Sequence, residues 1–274
     1  MESKKVLFVS QEITPYLPET ELSQIGRNLP QAIQETGKEI RTFMPKYGNI
    51  NERRNQLHEV IRLSGMNLII DDTDHPLIIK VASIQAARMQ VYFIDNEDYF
   101  HRKHTVTDGK GTFFKDNDER MIFFARGVLE TVRKLRWSPD LVHCHGWFTS
   151  LVPLYIKKAY REDPLFVDSK VVFSMYDNGF DNSLDSAFVE KLLVDGVSPD
   201  HVSMVKDPNY ENLAKLAATY SDGLVQGSEK LPDSILKVMK DSGKPTLNYL
   251  ASTEYVEKFS VFYDSILNNK AHIN

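Results

Sequence analysis

Short apolar runs alternate along this chain with segments in which apolar residues recur at helical spacing. The first run is KVLFVS at residues 5–10, and uninterrupted β-branched runs of this kind are typical of strands covered on both faces of a parallel sheet. The run EIRTFMP at 39–45 predicts the second strand. Between the two, a helical period is carried by Leu22, Ile25, Leu29 and Ile33. The chain is therefore predicted to open with a β-α-β unit, and Pro30 is expected to kink or interrupt its helix.

Residues 57–95 break this alternation. Four strand-like runs, LHEVIRLSG, MNLIID, PLIIKVASIQ and MQVYFID, are separated there by short turns such as DDTDHP. Strands joined by short turns pair in the antiparallel sense. We therefore expect a β-hairpin insertion over residues 57–95 that feeds back into the main sheet.

The α/β alternation resumes after the insertion. The clearest helical pattern covers residues 117–135, with Asp116 or Asn117 as its N-cap. The runs DLVHCH, KVVFSMY and DGLVQG predict further strands, and helices are expected around 147–159, 183–194, 209–220 and 231–241. A strongly amphipathic segment predicts a last helix over 252–270. The expected fold is a single α/β domain over 1–274, with one doubly wound, mostly parallel Rossmann-like sheet and helices on both of its faces.

Composition and charge narrow the classes of partner. The 38 acidic and 33 basic residues give a net charge of -5 spread along the chain, so we expect no nucleic-acid binding. No stretch approaches the roughly 18 apolar residues of a membrane span, and the first apolar run is shorter than a signal-peptide core of roughly 7 residues or more. We expect a cytoplasmic protein with no membrane partner and no cofactor.

Two imidazoles flank the single cysteine at the end of a predicted strand, in the sequence His143-Cys144-His145. Residues i and i+2 of a strand share a face, so this pair has the spacing of metal ligands. Two histidines without a third ligand at a recognisable spacing are more often structural hydrogen-bonding groups, and no metal is expected. Cys144 excludes an internal disulfide and is expected to be buried and inert.

Polar and aromatic residues also follow the next predicted strand, at Ser174 to Gly179. The carboxyl ends of parallel strands form the edge at which open α/β sheets bind ligands, so a cleft is expected there. Trp147 suits packing as well as a sugar platform, and Asp177 suits a turn cap as well as a sugar hydroxyl. The substrate-cleft candidates are His143, His145, Trp147, Phe148, Tyr176, Asp177 and Asn178.

Six segments between roughly residues 4 and 230 resemble the motifs of one known family in the same order. That family is the bacterial glycogen and starch synthases, whose two Rossmann-like domains transfer glucose from ADP-glucose to an α-1,4-glucan. The resemblance is to the N-terminal, acceptor-side domain, and the second domain has no counterpart in this chain. It also implies that the terminal helix packs back onto the sheet. The segments are KVLFVSQEITPY, MPKYG, FIDNEDYFHR, DGKGTFFKDNDERMIFFARGVLE, SPDLVHCHGWFTSLVP and VVFSMYDNGF.

The departures from the family fall on its functional positions. The family's Lys-Thr-Gly-Gly, which helps to hold the donor, aligns with Pro18-Glu19-Thr20-Glu21, and the acid that follows it aligns with Gln24. A carboxylate replaces the cation and side chains replace the glycines, so a diphosphate would be repelled and sterically excluded. In the later motifs Trp147 remains, but an Asp and a His of the family become Gly146 and Phe148, and a His-Asn pair becomes Tyr176-Asp177.

Three hypotheses about function follow. The first is a non-catalytic, donor-site-degenerate relative that keeps a glucan-facing or regulatory surface for an α-1,4-glucan or malto-oligosaccharide. The second is an active glycosyltransferase subunit completed by a second protein chain. The third is a protein-interaction module without sugar binding. One fold supports many functions, so the resemblance leaves open whether the chain is an enzyme; we rank the hypotheses in this order.

Overall fold

The computed structural model describes residues 3–251 and 255–268. Its strands are β1 (Lys5–Ser10), β2 (Glu39–Pro45), β3 (His58–Glu59), β4 (Met66–Ile70), β5 (Thr73–Ile84), β6 (Met89–Asp95), β7 (Leu141–His145), β8 (Lys170–Met175), β9 (Gly223–Gln226) and β10 (Thr246–Leu247). Its α-helices are α1 (Glu21–Glu35), α2 (Glu97–Phe100), α3 (Asn117–Leu135), α4 (Leu151–Lys157), α5 (Phe188–Leu192), α6 (Tyr210–Tyr220), α7 (Asp233–Asp241) and α8 (Tyr255–Asn268). Residues 252–254 and 269–270 of the expected terminal helix lie outside the described residues.

The strands form one mixed sheet in the order β10-β9-β8-β7-β1-β2-β6-β5-β3, and β4 pairs with β5 beside this path. Neighbours from β10 to β6 run parallel. The pairs that β5 makes with β3, β4 and β6 are antiparallel. The prediction of a mostly parallel sheet with a hairpin insertion is confirmed.

Helices cover both faces of the sheet, and the alternation along β1 shows how. Leu7 and Val9 pack in a core with residues of α3, α4, α6 and α7. Val6 and Phe8 face the other way and pack with residues of α1 and α8. Successive side chains of a strand point to opposite faces, so a run buried at every position is what a doubly covered strand requires.

Several helices differ from the expectation. Helix α1 runs through Pro30 without interruption, and Pro30 is buried on the face of the helix that packs on the sheet. The helices expected at 147–159 and 183–194 are shorter than predicted: Trp147–Thr149 forms a 3₁₀ turn before α4, and α5 comprises only Phe188–Leu192. A 3₁₀ helix at Pro199–Val205 was not predicted.

The N-cap of α3 shows a second kind of difference. Asp116 occupies the N-cap position, but its carboxylate makes no capping hydrogen bond. Its two oxygens instead accept from Arg102 Nη1 at 2.9 Å and Nη2 at 2.6 Å. The bidentate ion pair is the stronger interaction, and it fixes the segment that leads into the helix.

Candidate functional site

The chain changes direction across the sheet between β1 and β7. After β1 it continues to β2 on one side, and it returns later to β7 on the other side of β1. In open α/β sheets such a switch point leaves a crevice at the carboxyl ends of the two strands, because the connections diverge there. The segments that follow Ser10 and His145 therefore define the candidate site.

A cleft of about 380 Å³ lies at this edge. Gln11 and Glu12 follow β1, Trp147 follows β7, and a loop at residues 178–182 follows β8. The opposite side comes from a loop before α3 that includes Thr107 and Phe113. No lysine or arginine is among the described residues that line the cleft, whereas two carboxylates, those of Glu12 and Asp181, are. Its electrostatic character favours a neutral ligand over an anionic one.

The floor of the cleft depends on contacts between the turns after β1 and β7. The backbone N–H of Gln11 donates to the His145 carbonyl at 3.0 Å, and its side-chain Oε1 accepts from the Phe148 N–H at 3.1 Å. Gly146, between the two, has a φ of 86°. A Cβ on Gly146 would lie 2.7 Å from Gln11 Oε1, so glycine is required here by both space and backbone conformation.

Two of the predicted cleft candidates, His143 and His145, are not among the residues that line this cleft. His143 and His145 are both fully buried, with ring centroids 3.8 Å apart. His143 hydrogen-bonds to Tyr263 Oη at 2.5 Å through Nδ1 and to Ser174 Oγ at 2.7 Å through Nε2. His145 Nδ1 lies 2.8 Å from Tyr176 Oη.

Burial lowers the pKa of both imidazoles, and it lowers that of His145 to about 3. The neighbouring His145 is a second, smaller cause of the lowered pKa of His143. Both side chains are therefore neutral at physiological pH and join the sheet to α8 and to the loop after β8. Among the described residues, no three His, Cys, Asp or Glu side chains come together as a metal site. Cys144 between them is fully buried, and burial raises the pKa of its thiol.

The aromatic candidates divide into core and cleft. Phe148 is fully buried and Tyr176 nearly so, and both belong to the interior. Trp147 lines the cleft at its edge, with only 3% of its surface exposed. Its ring centroid lies 4.7 Å from that of Phe180 and 5.9 Å from that of Phe113, and these two rings stack at 5.0 Å. The three rings form an aromatic cluster on the cleft wall, in which Trp147 is buried and Phe113 and Phe180 are partly exposed.

Asp177 and Asn178, which follow β8, have different surroundings. Asp177 is exposed, and its N–H donates to Ser228 Oγ at 3.1 Å, so it lies outside the cleft lining. Asn178 does line the cleft, and neither Oδ1 nor Nδ2 of its amide has a hydrogen-bond partner among the described residues.

The acidic loop, residues 18–24, forms the start of α1. Thr20 is its N-cap: Thr20 Oγ1 accepts from the Ser23 N–H at 3.0 Å, and Ser23 Oγ accepts from the Thr20 N–H at 2.8 Å. Thr20 Oγ1 also donates to Glu12 Oε2 at 3.0 Å. Burial raises the pKa of the Glu12 carboxyl, and this hydrogen bond lowers it by a smaller amount. The loop thus satisfies its own helix terminus.

The remaining members of this loop are exposed. Pro18, Glu19, Glu21 and Gln24 all face solvent, and Gln24 Nε2 lies 3.4 Å from Glu19 Oε2. The Glu21 carboxylate accepts a hydrogen bond from the Tyr249 hydroxyl and raises the pKa of that tyrosine. Negative charge therefore surrounds the positive end of the α1 dipole, where anionic ligands bind in related folds.

Gln11, Asp181 and Asn182 are among the polar cleft residues that the sequence-based candidates did not include. Gln11 directly follows β1, so the rule about carboxyl ends of strands, applied to the first strand as well as to β7 and β8, would have found it. Asp181 and Asn182 carried no comparable signal, because a helix was expected to begin near them.

The sheet order, the covering helices and the switch-point cleft together define a Rossmann-like α/β protein with a ligand crevice at the carboxyl ends of its strands. A model of the starch synthase catalytic domain family matches residues 5–247. Glycogen synthase from Chlorobium limicola is 36% identical over 265 residues, which is 96% of this chain and 52% of the relative. Glycogen synthase from Chlorobaculum tepidum is 41% identical over 174 residues, or 63% of this chain and 36% of the relative.

Solved structures agree on the fold. The catalytic domain of starch synthase IV from Arabidopsis thaliana, determined with bound ADP and acarbose, superimposes with a TM-score of 0.73 at 16% identity over 91% of this chain and 52% of that chain. The chain belongs to the starch synthase catalytic domain family, and its sheet is the Rossmann-like α/β unit of that family. It spans about half the length of the curated relatives it matches. No described helix is long and apolar enough to cross a membrane.

Proposed function

We propose that this chain binds a neutral α-glucan in the cleft and does not bind a nucleotide-sugar donor, so that it acts as a glucan-facing, non-transferring member of its family. The observation that carries the proposal is the charge of the site: two carboxylates and no cation among its described lining residues. A diphosphate needs cations or free backbone N–H groups to replace its hydration, whereas sugar hydroxyls bind well to amides and carboxylates.

The start of α1 supports the exclusion of the donor. An anion at a helix N-terminus is held by free N–H groups and by the positive end of the dipole. Here the Ser23 N–H is already taken by Thr20, and Glu19 and Glu21 flank the same terminus. A diphosphate placed there would meet two exposed carboxylates before it reached any donor.

The cleft wall supports the binding of a glucan. Sugar rings present apolar C–H faces and a rim of hydroxyls, and such ligands are recognised by aromatic side chains together with neutral polar groups. The rings of Trp147, Phe113 and Phe180 stand beside Gln11 and Asn178 in this cleft. The similar starch synthase IV domain was determined with acarbose as well as ADP bound.

The test is isothermal titration of the purified protein with maltoheptaose and, separately, with ADP-glucose. We expect saturable heat with maltoheptaose and none with ADP-glucose. Saturable binding of ADP-glucose by the wild-type chain would overturn the exclusion of the donor and favour a transferase subunit. The absence of saturable heat with both ligands would overturn glucan binding and favour a protein-interaction module.

A charge variant sharpens this test. The E19Q/E21Q variant removes two carboxylates at the α1 terminus, each of which would repel a unit negative charge about 4 Å away by about 1 kcal/mol in water. Its ADP-glucose affinity is expected to exceed that of the wild type. The matched control is E35Q, an exposed residue of the last turn of the same helix, which should change nothing.

A further inference from the structure

Asn178 presents a buried amide that nothing in the fold satisfies. The residue lines the cleft, yet its Oδ1 and Nδ2 are both shielded from solvent and have no partner among the described residues. Buried amides in folded proteins are almost always paired, because an unpaired donor and acceptor lose their hydration without compensation. An unpaired buried amide is expected to cost free energy of folding, which points to a role for this side chain other than folding.

The loop that carries Asn178 is anchored to its surroundings through aromatic ring contacts. No hydrogen bond or ion pair joins residues 178–182 to any other part of the chain that the structure describes. Phe180 fixes the loop instead, through the rings of Phe113, Trp147 and Tyr210 at centroid distances of 5.0, 4.7 and 5.8 Å. A segment without hydrogen bonds to its surroundings opens at a lower free-energy cost than one that is bonded.

We infer that Asn178 is the specificity-determining residue of the cleft: when residues 178–182 move outward, its carbonyl oxygen accepts from one hydroxyl of the glucan and its NH₂ donates to the neighbouring hydroxyl. This inference rests on the proposed function. An amide offers an acceptor and a donor side by side, which matches two adjacent hydroxyls, each able to donate and accept. A carboxylate such as Glu12 can only accept when ionised.

The chemistry of the ligand follows from the same geometry. The amide is neutral, so it gives no preference to a charged group, and its two free atoms discriminate against a ligand that lacks one hydroxyl of the pair. A site built to hydrogen-bond a hydroxyl rejects an analogue without it, because the polar group of the protein is left unpaired. The rings of Phe113, Trp147 and Phe180, which line the same cleft, then supply the apolar face for the same sugar ring.

The test is the variant N178L, a change to an apolar side chain of similar size, studied by titration with maltoheptaose and by thermal unfolding. We expect maltoheptaose affinity to fall at least tenfold while the melting temperature stays the same or rises. The variant N178D keeps the size and the acceptor but loses the donor, and it should show a smaller loss of affinity.

The matched control is N96L. Asn96 is also a buried asparagine, but its Oδ1 accepts from the Asp98 and Tyr99 N–H groups and its Nδ2 donates to the Pro76 carbonyl. The N96L variant should have a lower melting temperature than the wild type. At temperatures where the variant is folded, its maltoheptaose affinity should equal that of the wild type.

The outcomes separate the two proposals. If the wild-type chain binds maltoheptaose and N178L binds it with the same affinity, the role of Asn178 is overturned and glucan binding is retained. A fall in melting temperature as large as that of N96L also overturns it, since the amide would then be structural. No binding by the wild-type chain overturns the proposed function, and the inference with it.

Discussion

At the scale of single residues, one glycine allows the turns after β1 and β7 to meet beside the cleft. Gly146 combines a φ of 86° with a position where a Cβ would lie 2.7 Å from Gln11 Oε1. That oxygen is the acceptor for the Phe148 N–H, so a side chain here would displace a buried hydrogen bond as well as strain the backbone. Gly111, in the loop on the opposite side of the cleft, has a similar φ of 82° but no heavy atom within 4 Å of its Cβ position.

These two glycines make a matched pair of substitutions. G146A is expected to lower the free energy of unfolding by about 2–4 kcal/mol, because φ 86° with ψ 157° is a conformation that essentially only glycine adopts and because a buried hydrogen bond is displaced. G111A should cost only the strain of about 1–2 kcal/mol. Urea unfolding with a constant m-value measures both, and equal losses would show that the contact with Gln11 is unimportant.

At the scale of secondary-structure elements, the last helix is attached to the sheet by both packing and a polar bond. Four residues of α8 are buried in one core with Val6 and Phe8, namely Phe259, Phe262, Tyr263 and Ile266. Gly223 of β9 leaves room for Ile266, whose Cδ1 would lie 2.7 Å from a Cβ at that position. Within this apolar contact, Tyr263 Oη bonds to His143.

The polar bond can be removed without changing the packing. Y263F leaves a buried His143 Nδ1 without its partner, and we expect it to lower the free energy of unfolding by about 1–3 kcal/mol. V261A removes a side chain that is 63% exposed on the same helix and should cost less than about 0.5 kcal/mol. Chemical denaturation of both variants checks this, and a neutral Y263F would contradict a structural role for the bond.

At the scale of the whole molecule, the two buried imidazoles couple stability to pH. Burial lowers both pKa values in the folded chain, that of His145 to about 3, while an unfolded histidine titrates near 6.5. Below about pH 6.5 the unfolded state therefore binds protons that the folded state does not. The stability is fully present above that pH and is lost as the pH falls, by about 1.4 kcal/mol per pH unit for each histidine.

A variant that cannot titrate should flatten this dependence. H145N retains a polar atom close to the position of Nδ1, near Tyr176 Oη, but removes one of the two groups. We expect the loss of unfolding free energy between pH 6 and pH 4 to be smaller in H145N than in the wild type by about 1.4 kcal/mol per pH unit. Denaturation curves across this range measure it, and parallel slopes would show that His145 is protonated in the folded state.

Much of the fold could be predicted because its signals are local. Uninterrupted apolar runs such as that of β1 specify strands covered on both faces, and the period of α3 specifies its ends at 117 and 135. The candidate site was harder. Trp147 and Asn178 were found because they follow strand ends, whereas His143 and His145 follow the same rule and are buried, since strand residues just before the edge point into the layers of helices.

The sequence by itself determined the α/β class, the hairpin insertion and the acidic character of residues 18–21, because periodicity and residue type are properties of short segments. Only the tertiary structure decided which side chains share the cleft, that Pro30 fits inside α1, and that the amide of Asn178 has no partner. Those facts depend on groups that are distant in the chain, such as Gln11 beside Phe148 and Phe113 on Phe180, and burial and pairing are settled only when the layers pack.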